Sequence, residues 1–131
     1  LDLFDHAEQC GAGLIVYCPL ASGLLTDKYL SGEIPKDSRA ALLWGEENAR
    51  RRLDEKTLDK VRSEIARSRG QRLAQMAIAW ILRLQGVTSV LIGASRVEQI
   101  EENVKALERL DFTKEELELI DSITLPRAPG R

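Results

Sequence analysis

The residues with the clearest chemical potential follow a short apolar run near the N-terminus. Leu14 to Tyr17 contains two β-branched residues and is typical of a buried parallel strand. In parallel β/α folds, ligands bind at the carboxyl ends of the strands, where the loops converge. Tyr17 stands at that position and could stack on a planar ring. In the long polar loop after it, from Pro19 to Arg39, Lys28 and Arg39 could reach a phosphate.

A second polar group follows another run rich in β-branched residues, Val87 to Ile92. Gly93 predicts a turn, and Ser95 and Arg96 then stand at the start of a helix. The free N–H groups and partial positive charge of a helix N-terminus suit an anion. Three polar residues further along this helix share one face that could hold a base or a ribose, namely Gln99, Glu102 and Asn103.

Each group also has a simpler interpretation when it is taken alone. Tyr17 can be a packing residue, with the basic residues of its loop simply solvated. Ser95 and Glu98 have the form of a capping box, a common device at the start of a solvated helix.

The apolar periodicity predicts the elements that position these groups. A helix over 3–10 leads into the first strand, and helices over 54–68 and 73–84 lead into the second. The helix after the second strand is predicted to turn Val97, Ile100, Val104 and Leu107 inward. Thr113 and Glu116 form a second capping box, which opens a last helix. Residues 126–131 are predicted to be a frayed tail.

This order predicts an α/β fold made of consecutive β/α units, in one domain over residues 1–131. A complete (β/α)8 barrel needs about 250 residues, so only a partial barrel fits this length. Two buried parallel strands need neighbouring strands to form a stable sheet. We therefore expect either that the chain completes its sheet by association or that further strands belong to a segment absent from this sequence. Its start at Leu1, without a methionine, also suggests truncation.

Composition narrows the class of protein further. Hydrophobic residues make up 44% and charged residues 31%, with a net charge of −2, which is typical of a soluble globular domain. That charge gives no general electrostatic basis for binding nucleic acid or an anionic membrane. Cys10 and Cys18 match no metal or redox spacing, and they predict reduced thiols in a cytoplasmic protein. No apolar run has the length of a membrane span.

Several motifs in one order resemble the aldo-keto reductase family, in the branch with bacterial reductases and potassium-channel β subunits. Tyr-x-Pro-Leu-x-x-Gly-Leu-Leu-Thr-x-Lys-Tyr at 17–29, continued by Ile-Pro-Lys-Asp-Ser-Arg at 34–39, resembles barrel strand seven and its loop. Val-Leu-Ile-Gly-Ala-Ser-Arg-x-x-Gln-x-x-Glu-Asn at 90–103 resembles strand eight and the helix after it. The helix that begins near Gly70 is also similar to the family's. The resemblance covers nearly the whole chain.

The resemblance implies that this chain is the C-terminal, NADP-binding part of a (β/α)8 TIM barrel, comprising its last β/α units only. Tyr17 would stack on the nicotinamide, and its loop would contact the phosphates. The residues after strand eight would hold the 2′-phosphate and the adenine. Arg96 beside Ser95 would favour NADP over NAD. The full implied set is Tyr17, Pro19, Leu20, Ser22, Lys28, Arg39, Gly93, Ser95, Arg96, Gln99, Glu102 and Asn103.

The family's proton-transfer set of tyrosine, lysine, aspartate and histidine has no counterpart in this sequence. His6, Asp27, Lys28 and Tyr29 supply the residue types but not the arrangement. We therefore expect no catalytic residue, and carbonyl reduction only in a completed barrel that binds NADP(H) and a small carbonyl substrate. Two alternatives remain: a self-associating, non-catalytic module, and an NADP-sensing protein like the channel β subunits.

Overall fold

A computed structural model describes residues 3–23, 25–27, 36, 41–42, 45, 47–48 and 56–124. Helix α1 (Leu3–Gln9) leads into strand β1 (Leu14–Tyr17), which ends in a 3-10 turn (Ala21–Gly23). Helices α2 (Lys56–Ser68) and α3 (Leu73–Leu82) precede strand β2 (Val87–Leu91). Helix α4 (Val97–Val104), a 3-10 turn (Lys105–Glu108) and helix α5 (Lys114–Thr124) follow. The predicted α/β order is confirmed, and the predicted tail over 126–131 lies outside the described residues.

The two strands pair in parallel, as their sequences predict. Ile15 pairs with Ser89 and Tyr17 pairs with Leu91, with an irregularity just after Leu14. Both strands therefore end at the same edge of the sheet. The strands run directly beside each other, so the loops that leave them also emerge side by side.

The main cluster of buried residues lies among the helices. Its members come from α2, α3 and α5: Ile65, Ala66, Leu73, Met76 and Ile120, with Trp80, Phe112 and Ile123 packed against them. Helix α3 contributes Leu73 and Met76 to this core. Ile78 and Ala79 are buried as well, so α3 contacts neighbours on more than one side. This agrees with its almost continuous apolar sequence.

A buried arginine joins the turn between α2 and α3 to the start of α5. The Arg69 side chain is fully buried and forms an ion pair with Glu116. It also donates to the carbonyl oxygen of Asp111 at 2.9 Å, and its guanidinium carbon lies 3.6 Å from the ring centre of Phe112. Burial lowers the pKa of Arg69, and Glu116 counteracts that shift.

The predicted capping box at the start of α5 is confirmed. The Thr113 N–H donates to Glu116 Oε2 at 3.0 Å, and the Glu116 N–H donates to Thr113 Oγ1 at 3.2 Å. Glu116 therefore caps α5 and pairs with Arg69 at the same time. On α2, Ile65 is buried, and the side chains of Leu58 and Val61 lie outside the described part of the chain.

One burial prediction holds only in part for this chain by itself, and a second is wrong. The strands were predicted to be buried, and Val87 is, but Ile15, Tyr17 and Leu91 are exposed. The stripe on α4 and the turn after it was predicted to face inward, but all four of its members are exposed: Val97, Ile100, Val104 and Leu107. In the part of the chain that the structure describes, these surfaces are largely uncovered. We call them the open sheet face and the open helix face.

Candidate functional site

The parallel register brings the two predicted groups of site residues to one edge of the sheet. Tyr17 and Leu91 are partners at the carboxyl ends of β1 and β2. The Tyr17 side chain lies on the open sheet face, and the residue is 76% exposed. An exposed ring at this position is free to stack on a flat ligand.

The loop after β1 leaves the strand through an unusual backbone path. Cys18 and Ala21 have positive φ angles of 53° and 49°, which non-glycine residues seldom adopt. Hydrogen bonds hold the turn: Ala21 N–H donates to the Cys18 carbonyl at 3.1 Å, and Gly23 N–H to that of Leu20 at 2.9 Å. Left-handed backbone of this kind concentrates at ligand-binding turns. Within this turn Pro19 is buried and Leu20 is half-buried.

Three predicted residues of this loop can be followed only partly or not at all. Ser22 belongs to the 3-10 turn, but its side chain lies outside the description. Lys28 and Arg39 lie outside the described residues. Their predicted contacts with phosphate remain predictions.

The exit from β2 differs from its prediction in one instructive respect. Ser95 does not cap α4, because the residue at the N-cap position is Arg96 and no side chain caps the helix. Ser95 instead donates to Gln99 Oε1, through its N–H at 2.8 Å and its hydroxyl at 3.2 Å. The predicted capping box with Glu98 is therefore wrong, because the helix begins one residue later than that motif requires.

This correction leaves the N-terminus of α4 open. A helix start without a side-chain cap presents free N–H groups and the positive end of its dipole. Gly93, Ser95 and Arg96 are all exposed around it. The arrangement can therefore accept an anion from solvent, with the Arg96 guanidinium as a further donor.

The polar face predicted further along α4 is already tied to α3. Glu102 forms ion pairs with Arg72 at 3.3 Å and with Lys105 at 3.2 Å. Its main-chain carbonyl accepts a hydrogen bond from Gln75 Nε2 at 2.8 Å. Asn103 is half-buried beside it.

Sequence reasoning missed Arg72 and Gln75 as part of this site. Gln75 Oε1 accepts the N–H of Arg72 at 2.9 Å, so it caps the first turn of α3. A Gln three residues after the start of a helix is a known capping signal, so the capping role of Gln75 could have been predicted from sequence. The contact with Glu102 spans 27 positions in sequence, and no local pattern predicts it.

An open pocket of about 530 Å³ lies where α3 meets the end of α4, and five basic residues line it. Of the residues predicted for the site, only Glu102 borders this pocket. The pocket is thus next to the polar face of α4 and separate from the two strand exits.

Within the ranges described, no cluster of three or more His, Cys, Asp or Glu side chains could hold a metal ion. No helix in those ranges is both long and apolar enough to cross a membrane. Cys10 and Cys18 are exposed and free. His6 is exposed on α1.

Comparison with known proteins places these features in context. A sequence model of the aldo/keto reductase family matches residues 1–125. L-glyceraldehyde 3-phosphate reductase of Escherichia coli strain K12 is 49% identical over 126 residues, covering 91% of this chain and 35% of that protein. A probable voltage-gated potassium channel subunit beta of Oryza sativa is 45% identical over 116 residues, covering 86% and 35%. The chain thus spans about a third of the length of these relatives.

A solved structure shares the fold as well. The crystal structure of a thermostable aldo-keto reductase in complex with the inhibitor epalrestat superposes with a TM-score of 0.60 and 26% identity. The match covers 92% of this chain and 33% of that protein.

Proposed function

The chain belongs to the aldo/keto reductase family, and on that premise we propose that it forms the NADP-binding end of an aldo-keto reductase. In this proposal β1 and β2 are the last two strands of a (β/α)8 barrel. The observation that carries it is the pairing of Tyr17 with Leu91, because this register brings a stacking ring and an open helix N-terminus to one edge of the sheet.

The residues present at this edge fit a dinucleotide phosphate. The exposed Tyr17 ring would stack against the nicotinamide, and the turn through Pro19, Leu20 and Ser22 would pass beneath the pyrophosphate. Lys28 and Arg39 would contact phosphate oxygens from the rest of the loop. Bound NADPH supplies a hydride for carbonyl reduction; the residues of this chain bind and orient it.

The choice of NADP over NAD rests on the start of α4. An uncapped helix N-terminus and the exposed Arg96 would together receive the 2′-phosphate, with Gly93 allowing close approach. The Ser95 hydroxyl donates to Gln99 Oε1 in the absence of a ligand, and it would turn from Gln99 to donate to the same phosphate on binding. Glu102 and Asn103 would hydrogen-bond the adenine.

We propose no catalytic residue in this chain. Reduction would need the chain together with the strands that close the barrel, from the same polypeptide or from a second one. We call this the completed barrel. The open sheet face supports this view, since exposed apolar strand surface is what further strands would cover. A cytoplasmic location stays a prediction.

The test of this proposal is the cofactor preference of the completed barrel, measured by titration with NADPH and NADH. We expect NADPH to bind about tenfold more tightly or better, because charged hydrogen bonds to the 2′-phosphate are worth about 1.5–3 kcal/mol. Equal affinity for both nucleotides, or none for either, would overturn the proposal.

A second candidate function is self-association without catalysis, and the two open apolar faces favour it. Two copies could cover each other's strands. Light scattering combined with NADPH titration separates the candidates. The self-associating, non-catalytic candidate would be favoured by a stable oligomer that binds no NADPH even when the remaining barrel strands are supplied. The similarity to channel β subunits keeps an NADP-sensing role open on the same cofactor site.

A further inference from the structure

The first turn of α3 holds α4 through one buried side chain. Gln75 is 7% exposed, and both ends of its amide are used. Its Oε1 accepts the N–H of Arg72, and its Nε2 donates to the carbonyl oxygen of Glu102. The main chain of α4 at Glu102 is therefore fixed relative to the start of α3.

The carboxylate of Glu102 is held by cations on both of its oxygens. Arg72 Nε lies 3.3 Å from Oε2, and Lys105 Nζ lies 3.2 Å from Oε1. Lys105 comes from the same helix segment as Glu102, so it does not connect the carboxylate to another element. Arg72 does, because it stands at the start of α3. A carboxylate offers about four acceptor positions, so two cation contacts leave capacity for another donor.

We infer that Arg72 is a positioning residue for the nucleotide. Arg72 holds the Glu102 carboxylate in the orientation in which Glu102 accepts a hydrogen bond from the amino group of adenine. This inference rests on the proposed function, because it needs a bound NADP(H). Gln75 fixes the backbone of Glu102, and Arg72 fixes its side chain. The ligand receives a carboxylate that is already oriented, so less rotational freedom is lost on binding.

The pocket lined by α3 and α4 agrees with this role. Arg72 is largely exposed there, with 65% of its side chain accessible, so replacing it removes the contact without disturbing the core. Arg67 lines the same pocket, and within the described chain no ion pair joins it to Glu102. Arg67→Met therefore removes the same charge from the same surface and serves as a matched control for Arg72→Met.

The experiment measures dissociation constants of the completed barrel for NADPH and for reduced nicotinamide mononucleotide, which lacks adenine. We expect Arg72→Met to raise the dissociation constant for NADPH about threefold or more, which is the scale of a partly exposed ion pair. Reduced nicotinamide mononucleotide should bind unchanged. Arg67→Met should change neither constant, and Arg72→Lys should recover part of the loss.

A double variant separates positioning from a general effect of charge. In a Glu102→Gln background, Arg72→Met should cause no further change in the dissociation constant for NADPH, because the carboxylate that Arg72 orients is gone. An equal loss in that background would overturn the inference, as would an equal loss for the mononucleotide or none for NADPH. If the unaltered completed barrel bound no NADPH, the proposed function itself would fail.

Discussion

Gly13 and Thr88 lie in contact at the amino-terminal end of the sheet, and the Thr88 side chain occupies the space that a Cβ atom on residue 13 would need. The turn between α1 and β1 can approach β2 this closely only because residue 13 has no side chain. Gly13→Ala should therefore lower the free energy of unfolding by about 1–3 kcal/mol, the usual cost of overpacking. Urea unfolding of the completed barrel measures it.

Thr88→Ala provides the matched test of that explanation. This substitution removes the nearest atom, Thr88 Oγ1, so the double variant should be more stable than the sum of the two single changes predicts. Simple additivity would contradict the proposed clash.

The buried Arg69 offers a second prediction, on stability alone. Arg69→Met should cost about 2–3 kcal/mol, because the half-buried carboxylate of Glu116 loses its buried partner and keeps only Arg109, at 3.5 Å. Arg67→Met, two residues earlier and exposed, should cost about 1 kcal/mol or less. Chemical denaturation of both variants checks the contrast, and similar losses would refute the role given to Arg69.

A third prediction concerns the ring at the end of β1. Tyr17→Ala should raise the dissociation constant for NADPH about three- to tenfold, the scale of a lost aromatic stacking contact. Tyr17→Phe keeps the ring and should bind like the unaltered protein. Fluorescence titration of the completed barrel measures both. Loss of affinity in the Phe variant would point to the hydroxyl instead of stacking.

A fourth prediction addresses the specificity for the 2′-phosphate. Arg96→Met should raise the dissociation constant for NADPH about tenfold or more and leave that for NADH unchanged. Only NADPH carries the phosphate that the guanidinium would bind. The comparison needs the same preparation and the same salt concentration, because charged contacts with phosphate are screened by ions. Parallel losses for both nucleotides would place Arg96 outside the phosphate site.

Local patterns predicted the elements well, because periodicity and turn residues act over a few positions. Strand β2 was predicted over 87–92 and spans Val87–Leu91, and the parallel pairing also followed from the order of the elements. Gly11 and Gly70, which follow α1 and α2, have positive φ angles of 66° and 69°. Such angles are what a helix C-terminal glycine supplies.

Contacts between distant residues could not be predicted in the same way. Arg69 and Glu116 are 47 positions apart, and nothing in either neighbourhood indicates the partner. The open helix face illustrates a different limit. Its spacing correctly indicated an apolar stripe, but a stripe does not specify which surface covers it, and this chain covers none of it in the described part. Ser95 was misplaced because a capping motif can start one residue away from the true boundary.

The central claim is that this chain holds one end of an NADP site that only the completed barrel finishes. It is tested most directly by calorimetric titration of NADPH into the chain alone and into the completed barrel. L-glyceraldehyde 3-phosphate reductase, with its matching third replaced by this chain, offers one such barrel. We predict a dissociation constant weaker than about 1 mM for the chain alone and in the micromolar range for the completed barrel. Micromolar binding by the folded, monomeric chain alone, or no binding by the completed barrel, would contradict the claim.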